Sequence, residues 1–387
     1  MLSCQRELFD IPRAVCYLNA AAYSPLPKLV QEAAHVAIWR KAQPWRVDAQ
    51  FAEEMNERTR RAAARLIKAD VNDVAIVSSV GYGVATAGKV LAVPPDSRVL
   101  VLRDDHTSPV LEWMSRSATE DFVVEVVARQ GRQSWTEALL AAMERPGARP
   151  LALVSISNVH WADGGIVDLD VVMPKVRRLG GAILIDATHA VGMMDFDVGR
   201  LDPDFVCFPT YKWLLGPYGR AFLYVAKRHQ AGIPLEQTAP ARKHVRAEAD
   251  IYFDDTSYVD NARRYDMGER DHFISLDMAA VAMEMVHAWG PAALGAYAAS
   301  MTRQLAEALA EIPGLEILPE TVRAPHLLSV GFTSGMPTDL VKRLEASQVY
   351  AAPRLGRLRI SPHVYNDAAD VTRFLDVFQE EVARNRA

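Results

Sequence analysis

The sequence predicts an α/β fold: a mostly parallel, doubly wound sheet in a large domain, followed by a smaller C-terminal α+β unit. Three observations predict it. Between about residues 74 and 225, short apolar runs alternate with stretches of helical spacing, the pattern of strands joined by crossover helices. From about residue 272 the texture changes to two long helical segments followed by short strands. The length of 387 residues exceeds one ordinary domain and allows two substantial cores. The expected divisions are an N-terminal segment at 1–26 packing near the functional site, a large domain at 27–271 and a small domain at 272–387.

The elements follow in order. Residues 27–68 read as mostly helical: Leu29, Ala33, Val36 and Ile38 recur at roughly helical spacing, and 48–68 is rich in Ala, Arg, Glu and Met. DVAIVSS is a strand ending at Ser79, with a helix from about Gly81 to Val90. VLVL at 99–102, FVVEVV at 122–127 and LALVSIS at 151–157 read as strands, and helices are expected at 134–144 and 169–179. AILI delivers Asp186 at its end, and FVCF and AFLYV flank a loop that holds Lys212. Helices at 275–289 and 291–311 then lead into LEIL, LLSVGF, a helix at 337–346, LRIS at 358–361 and a last helix from Ala368 to Arg384.

Composition narrows the function. Half the residues are hydrophobic, 24% are charged and the net charge is −5, which describes a soluble globular protein with no electrostatic case for nucleic acid. Cys4, Cys16 and Cys207 form no CxxC pair, and this usage suits a reducing cytoplasm. The charged start MLSCQRELFDIPRAV does not read as a signal peptide, and no run reaches the roughly 18 apolar residues of a membrane span. A cytoplasmic location is expected, with no membrane partner and no metal site. GxGxxG and GxxxxGK[ST] are both absent, which argues against the alternative of a nucleotide-dependent α/β enzyme.

Two segments carry the chemistry: AILIDATHAVG at 182–192 and DFVCFPTYKWLLGPYGRAFLYV at 204–225. Lys212 lies 26 positions beyond Asp186. An Asp ending a buried strand is common in doubly wound folds, and a loop lysine is usually solvated. The joint pattern is what has specificity: strand, Asp, Ala-Thr-His, strand, Tyr-Lys-Trp, Gly-Pro-x-Gly, strand. A carboxylate can keep a pyridinium nitrogen protonated, and a lysine can form a Schiff base with an aldehyde, which together match the needs of pyridoxal 5′-phosphate (PLP). A further segment, VSSVGYG at 77–83, offers Val80 and Gly81 at a helix start, where free N–H groups favour a phosphate. Judged alone, it is equally a plain strand-to-helix turn.

Over about residues 17–380 the chain resembles the class V aminotransferase, cysteine-desulfurase-like family of fold-type I PLP-dependent enzymes. That resemblance implies an enzyme acting on an amino acid or amine through an external aldimine and a quinonoid. Transamination is the first expectation, and the alternative is elimination by a C–S lyase or kynureninase-like enzyme. Lys212 is the expected imine-forming base and Asp186 the partner of the ring nitrogen. His106, in LRDDHTSP, falls at the ring-stacking position, and Asn158 and His189 fall where cofactor-bonding groups sit. Tyr211 matches a phosphate contact, while Pro209 replaces the usual serine, leaving Thr210 as its substitute. Arg359, in LRISPHVYN, matches the arginine that grips an α-carboxylate. Asn19 and Tyr23, in YLNAAAYSP, match an element lining the substrate entrance. Gly268 stands where the family sends a Gly-Thr pair into a partner's phosphate site, so a homodimer is expected. Glu269 and Arg270 follow in place of threonine, and Arg270 is a candidate for the phosphate or for a second acidic group on the substrate. VYAAPRLGRLR contains no cysteine, which argues against persulfide chemistry.

Overall fold

The computed structural model describes residues 2–131, 133–245 and 252–384, so the outer limits of the expected divisions, residues 1 and 387, lie outside it. The chain begins with a short strand β1 (Cys16–Tyr17), then helices α1 (Lys28–Lys41) and α2 (Ala49–Leu66). There follow β2 (Val74–Val77), α3 (Val80–Val90), β3 (Ser97–Leu102), α4 (Thr107–Ser117), β4 (Phe122–Val127), α5 (Trp135–Met143) and β5 (Leu151–Ser157). Next come α6 (Leu169–Arg178), β6 (Ala182–Asp186), a single turn α7 (Val198–Leu201), β7 (Phe205–Pro209) and β8 (Ala221–Val225). These strands form one seven-stranded sheet in the order β2-β8-β7-β6-β5-β3-β4. Only β8 runs against its neighbours, β2 and β7; the remaining pairs are parallel.

The sequence explains why this sheet is a central layer. β2, β3, β7 and β8 are buried along their whole length, as strands covered by helices on both faces must be. Alternate residues serve opposite faces. Ile76, Leu100, Val154, Ile185 and Phe208 join one core, while Val77, Val101, Leu153, Leu184 and Cys207 join the other. Gly83 lets α3 lie close on the sheet, since a β-carbon there would sit 2.6 Å from Cys207 Sγ. That close approach brings the N-terminus of α3 to the ends of the strands.

The second half begins with α8 (Phe273–Trp289) and α9 (Pro291–Ala310). Next come β9 (Leu315–Ile317), β10 (Leu328–Phe332), α10 (Leu340–Ala346), β11 (Val349–Tyr350), β12 (Ala352–Arg354), β13 (Arg357–Ile360) and α11 (Ala368–Arg384). A four-stranded antiparallel sheet in the order β12-β13-β10-β9 covers a core that includes Leu305, Leu328, Leu358, Phe374 and Phe378. β1 pairs with β11, and Asn19 bridges Ser361, so the N-terminal segment is tied to this unit. The Ser24 N–H donates to the Tyr211 carbonyl beside Lys212, at 3.2 Å.

Two expectations change. The helix expected from 337 starts only at Leu340, because Pro337 and Thr338 lie in the preceding turn. The stripe Leu29, Val36, Ile38 is on a helix, but it faces outward: all three are half or more exposed, and α1 buries Val30 and Ala37 instead. Among the described residues, no helix is long and apolar enough to cross a membrane, and no cluster of three or more His, Cys, Asp or Glu could hold a metal.

Candidate active site

A cavity of about 220 Å³ opens at the carboxyl ends of the parallel strands. It is lined by Ser79, Val80 and Gly81 after β2, His106 after β3, Ser157 at the end of β5, Asp186 and His189 at and after β6, and Tyr211, Lys212 and Arg220 from the β7–β8 connection. That is where an open α/β sheet places its ligands.

Lys212 is only 8% exposed, and its amine looks into this space. Burial pulls its pKa down to about 8, with the nearby charge of Arg359 adding to the effect and Asp186 opposing it. Asp186 is buried, and its Oδ1 accepts hydrogen bonds from both the Thr188 N–H and the Thr188 hydroxyl, which fix its plane. His189 is fixed more tightly still. The Trp213 indole N–H donates to its Nδ1 at 2.9 Å. An indole only donates, so the neutral ring carries its proton on Nε2, which faces Lys212 Nζ at 3.4 Å. Burial and then the Lys212 charge hold His189 well below the usual imidazole range. The lysine therefore faces a donor, an arrangement that favours its free-amine form, whose lone pair accepts. Behind them His326 donates to the His189 carbonyl (2.6 Å) and His363 to the Trp213 carbonyl (3.1 Å).

The phosphate end of the cavity has two features. Ser79 caps α3, its hydroxyl accepting from the Tyr82 N–H at 3.0 Å, so the first-turn N–H groups at Val80 and Gly81 border the space. Arg220, which the sequence reading did not single out, lies beside them. It is 2% exposed and, among the described residues, donates only to the Ser275 hydroxyl (2.6 Å) and weakly to Met267 Sδ (3.9 Å). Burial lowers its pKa to about 10 against the opposing charge of Asp271, and no carboxylate among the described residues forms an ion pair with it. A buried guanidinium bordering a cavity at a helix N-terminus needs an anion there.

The other expected residues divide. His106 caps α4 and meets Trp161 edge-on at 5.9 Å, so its ring sits on the wall; burial lowers its pKa. Tyr211 packs on Tyr218, which also lines the cavity, and on the largely exposed Tyr23, which does not. Asn158 and Asn19 each keep a side-chain oxygen that is buried without a partner, but neither lines the cavity. The Thr210 hydroxyl is already taken by the Pro217 carbonyl at 2.6 Å, inside the loop that Gly216 packs against, so it does not replace the missing serine in this conformation. Gly268 donates its N–H to Glu236, and Arg270 is held by Asp266 and Glu53, both away from the cavity. Within this chain, Arg270 is a structural cation in a network around the buried Asp266. Arg359 is 1% exposed, gives Nη1 to the Trp161 carbonyl at 2.7 Å and leaves Nε buried without a partner. Burial, then the charge of Arg354, lowers its pKa to about 9. Cys16 and Cys207 are buried in the cores, where burial pushes both thiols up, and Cys4 is half-buried near the N-terminus.

A doubly wound α/β fold whose cavity gathers a buried lysine and a buried aspartate fits a PLP-dependent enzyme. The chain belongs to the class-V aminotransferase family, whose model matches residues 16–374, and its cofactor is PLP. It is 27% identical to an uncharacterised aminotransferase, YcbU, of Bacillus subtilis, over 96% of this chain and 95% of that one. It is 29% identical to a kynureninase of Eremothecium gossypii over 44% of this chain and 40% of that one. Its fold is shared with the apo cysteine desulfurase of Thermococcus onnurineus at a TM-score of 0.85, with 18% identity and 99% of each chain covered.

Proposed function

We propose that this enzyme transfers the amino group of an α-amino acid to a keto-acid acceptor, with PLP attached to Lys212. The observation that carries the substrate class is Arg359. A guanidinium this deeply buried, with one hydrogen bond to a carbonyl and no carboxylate partner among the described residues, is unfavourable unless an anion joins it. The α-carboxylate of an amino acid supplies that anion with matching planar geometry. Transfer is favoured over other outcomes by the near-complete coverage of a relative named as an aminotransferase.

The residues present fit the cofactor: an amine for the aldehyde, a carboxylate for the ring nitrogen, and a buried cation with helix N–H groups for the phosphate. When bound, PLP supplies an electron sink for charge developing at the substrate Cα. Asp186 keeps the proton on the ring nitrogen. Lys212, whose ammonium form is disfavoured by burial and by Arg359, moves the proton at Cα. His189 keeps its Nε2 proton directed at Lys212 and orients the amine.

Arg220 gives a separate prediction. Arg220→Gln should weaken PLP binding by about 10- to 100-fold, the scale of a lost charge-assisted hydrogen bond, while binding of pyridoxal, which has no phosphate, changes little. Fluorescence titration of the cofactor-free protein with the two compounds measures this. An equal loss for both would show that Arg220 acts only on folding of the loop.

Elimination is the second reading, favoured by the kynureninases among the relatives. A persulfide route has no thiol in the right place. The deciding experiment is a panel of amino acids with an added keto-acid acceptor. Nitrogen recovered on the acceptor supports transfer; free ammonia with a cleaved side chain would replace it with elimination.

The exposed apolar face of α1, with Leu29, Val36, Ile38 and Trp39, fits an interface with a second copy of this chain. Sedimentation should therefore show a dimer; a stable, active 42.8 kDa monomer would remove this assignment.

A further inference from the structure

The hairpin that presents Arg359 presents two more arginines on the same face. Directly opposed residues of an antiparallel pair share a face, and side chains alternate along a strand. Ala352 pairs with Arg359 and Arg354 with Arg357, so Arg354, Arg357 and Arg359 all project to one side. Three guanidinium groups so placed repel one another unless something neutralises them.

Their surroundings differ. Arg357 is absorbed by the fold, donating to the Ser329 hydroxyl and to the carbonyls of Ser329 and Glu316. Arg359 is tied once, to the Trp161 carbonyl. Arg354 donates only to the carbonyl of its own neighbour, Pro353, at 2.7 Å, and forms no ion pair with any carboxylate among the described residues. Its guanidinium lies 5.9 Å from the Trp161 ring, so two unneutralised cations flank one tryptophan, whose ring meets the cavity-wall residue His106 edge-on. The charge of Arg354 reaches both Arg359 and Lys212.

Its position is fixed by the turn. Leu355 and Gly356 have φ of 48° and 75°, both positive as a tight two-residue hairpin of the primed type requires. Arg354 is the last strand residue before that turn, so its backbone has little freedom to carry the charge elsewhere.

We propose that Arg354 receives a second anionic group on the substrate, so that the enzyme is selective for amino acids with an acidic side chain. The α-carboxylate meets Arg359 and the distal anion meets Arg354. This rests on the amino-acid reading above and refines it. It also moves to Arg354 the role that the sequence suggested for Arg270, whose charge Asp266 and Glu53 already neutralise.

The test needs no turnover. Isothermal titration of the holoenzyme with glutarate and with valerate compares two carboxylates of equal carbon number, one with a second anion. Glutarate should bind at least about tenfold tighter, the scale of one partly desolvated charge pair. Arg354→Gln should bring that ratio close to one, and Arg354→Lys should keep part of it; thermal melting checks that both variants fold. Equal binding of the two acids by the wild type would overturn the proposal. So would an equal loss for both acids in Arg354→Gln, which would make Arg354 a second hand on the one carboxylate. Borohydride trapping of PLP on Lys212 is scored separately. An enzyme that traps PLP there yet shows no preference for the diacid loses this inference alone.

Discussion

Lys212→Ala is expected to abolish turnover and to leave a protein that holds PLP only reversibly, with no adduct surviving borohydride. Among the described residues the amine is the only lysine nitrogen lining the cavity, which it shares with Asp186, and the residue is 8% exposed. Its depressed pKa makes it reactive where an ordinary lysine is not. A fall from 10.5 to about 8 raises the free-amine fraction at neutral pH on the order of 300-fold. The pH dependence follows with a definite sign. Because the folded protein binds this proton more weakly, covalent uptake of PLP should rise with pH and reach half its limiting rate near pH 8. Arg359→Ala removes a charge that disfavours the ammonium, so the midpoint should move up. Absorbance at roughly 410–430 nm follows the reaction in wild type, and peptide mapping locates it. An adduct on another lysine, or a protein that stays colourless, would sink the assignment.

Arg359→Ala should separate binding of substrate from binding of cofactor. The variant keeps Lys212, Asp186 and Arg220, so it should remain yellow. It should lose about 30- to several-thousand-fold in kcat/KM toward amino acids, as expected for removing one partner of a largely buried charge pair worth about 2–5 kcal/mol. Steady-state kinetics on the best substrate from the panel measures it. If Arg359→Ala retained near-normal kcat/KM, the substrate would be an amine without a carboxylate.

Much of this architecture was legible because parallel strands write themselves as uninterrupted apolar runs. β3 to β8 lie within a residue or two of where the runs VLVL, FVVEVV, LALVSIS, AILI, FVCF and AFLYV put them. Asp186, His106 and His189 could be read because each follows such a run directly. The remaining site residues depend on distance across the fold. Arg220 sits in PYGRAF, which reads as a turn entering a strand, and nothing local reveals that its side chain reaches Ser275 and lines the same cavity as Val80 and Gly81. Thr210 looks like a free hydroxyl until the loop folds back and Pro217 takes it. Arg270 looks like a free cation until Asp266, 4 residues earlier, and Glu53, 217 residues away, close on it. The outward stripe on α1 shows the same limit in reverse: periodicity reports that a helix has an apolar face, but not what covers it.

Trp213 has a consequence for how many protons the site stores. Its indole cannot titrate, and it fixes the proton of His189 on one nitrogen. His106 and His189 are held below the usual imidazole range, as are His326 and His363, which stay near 3 and 4. Two imidazoles, His106 and His189, line the cavity with the lysine and two more stand behind them, and burial disfavours the charged form of all four. Their lowered pKa values favour neutral rings in and behind the cavity wall, which compete less for the site's proton. Among these bases Lys212 alone changes charge near neutral pH, so proton uptake there should register as a single-step event.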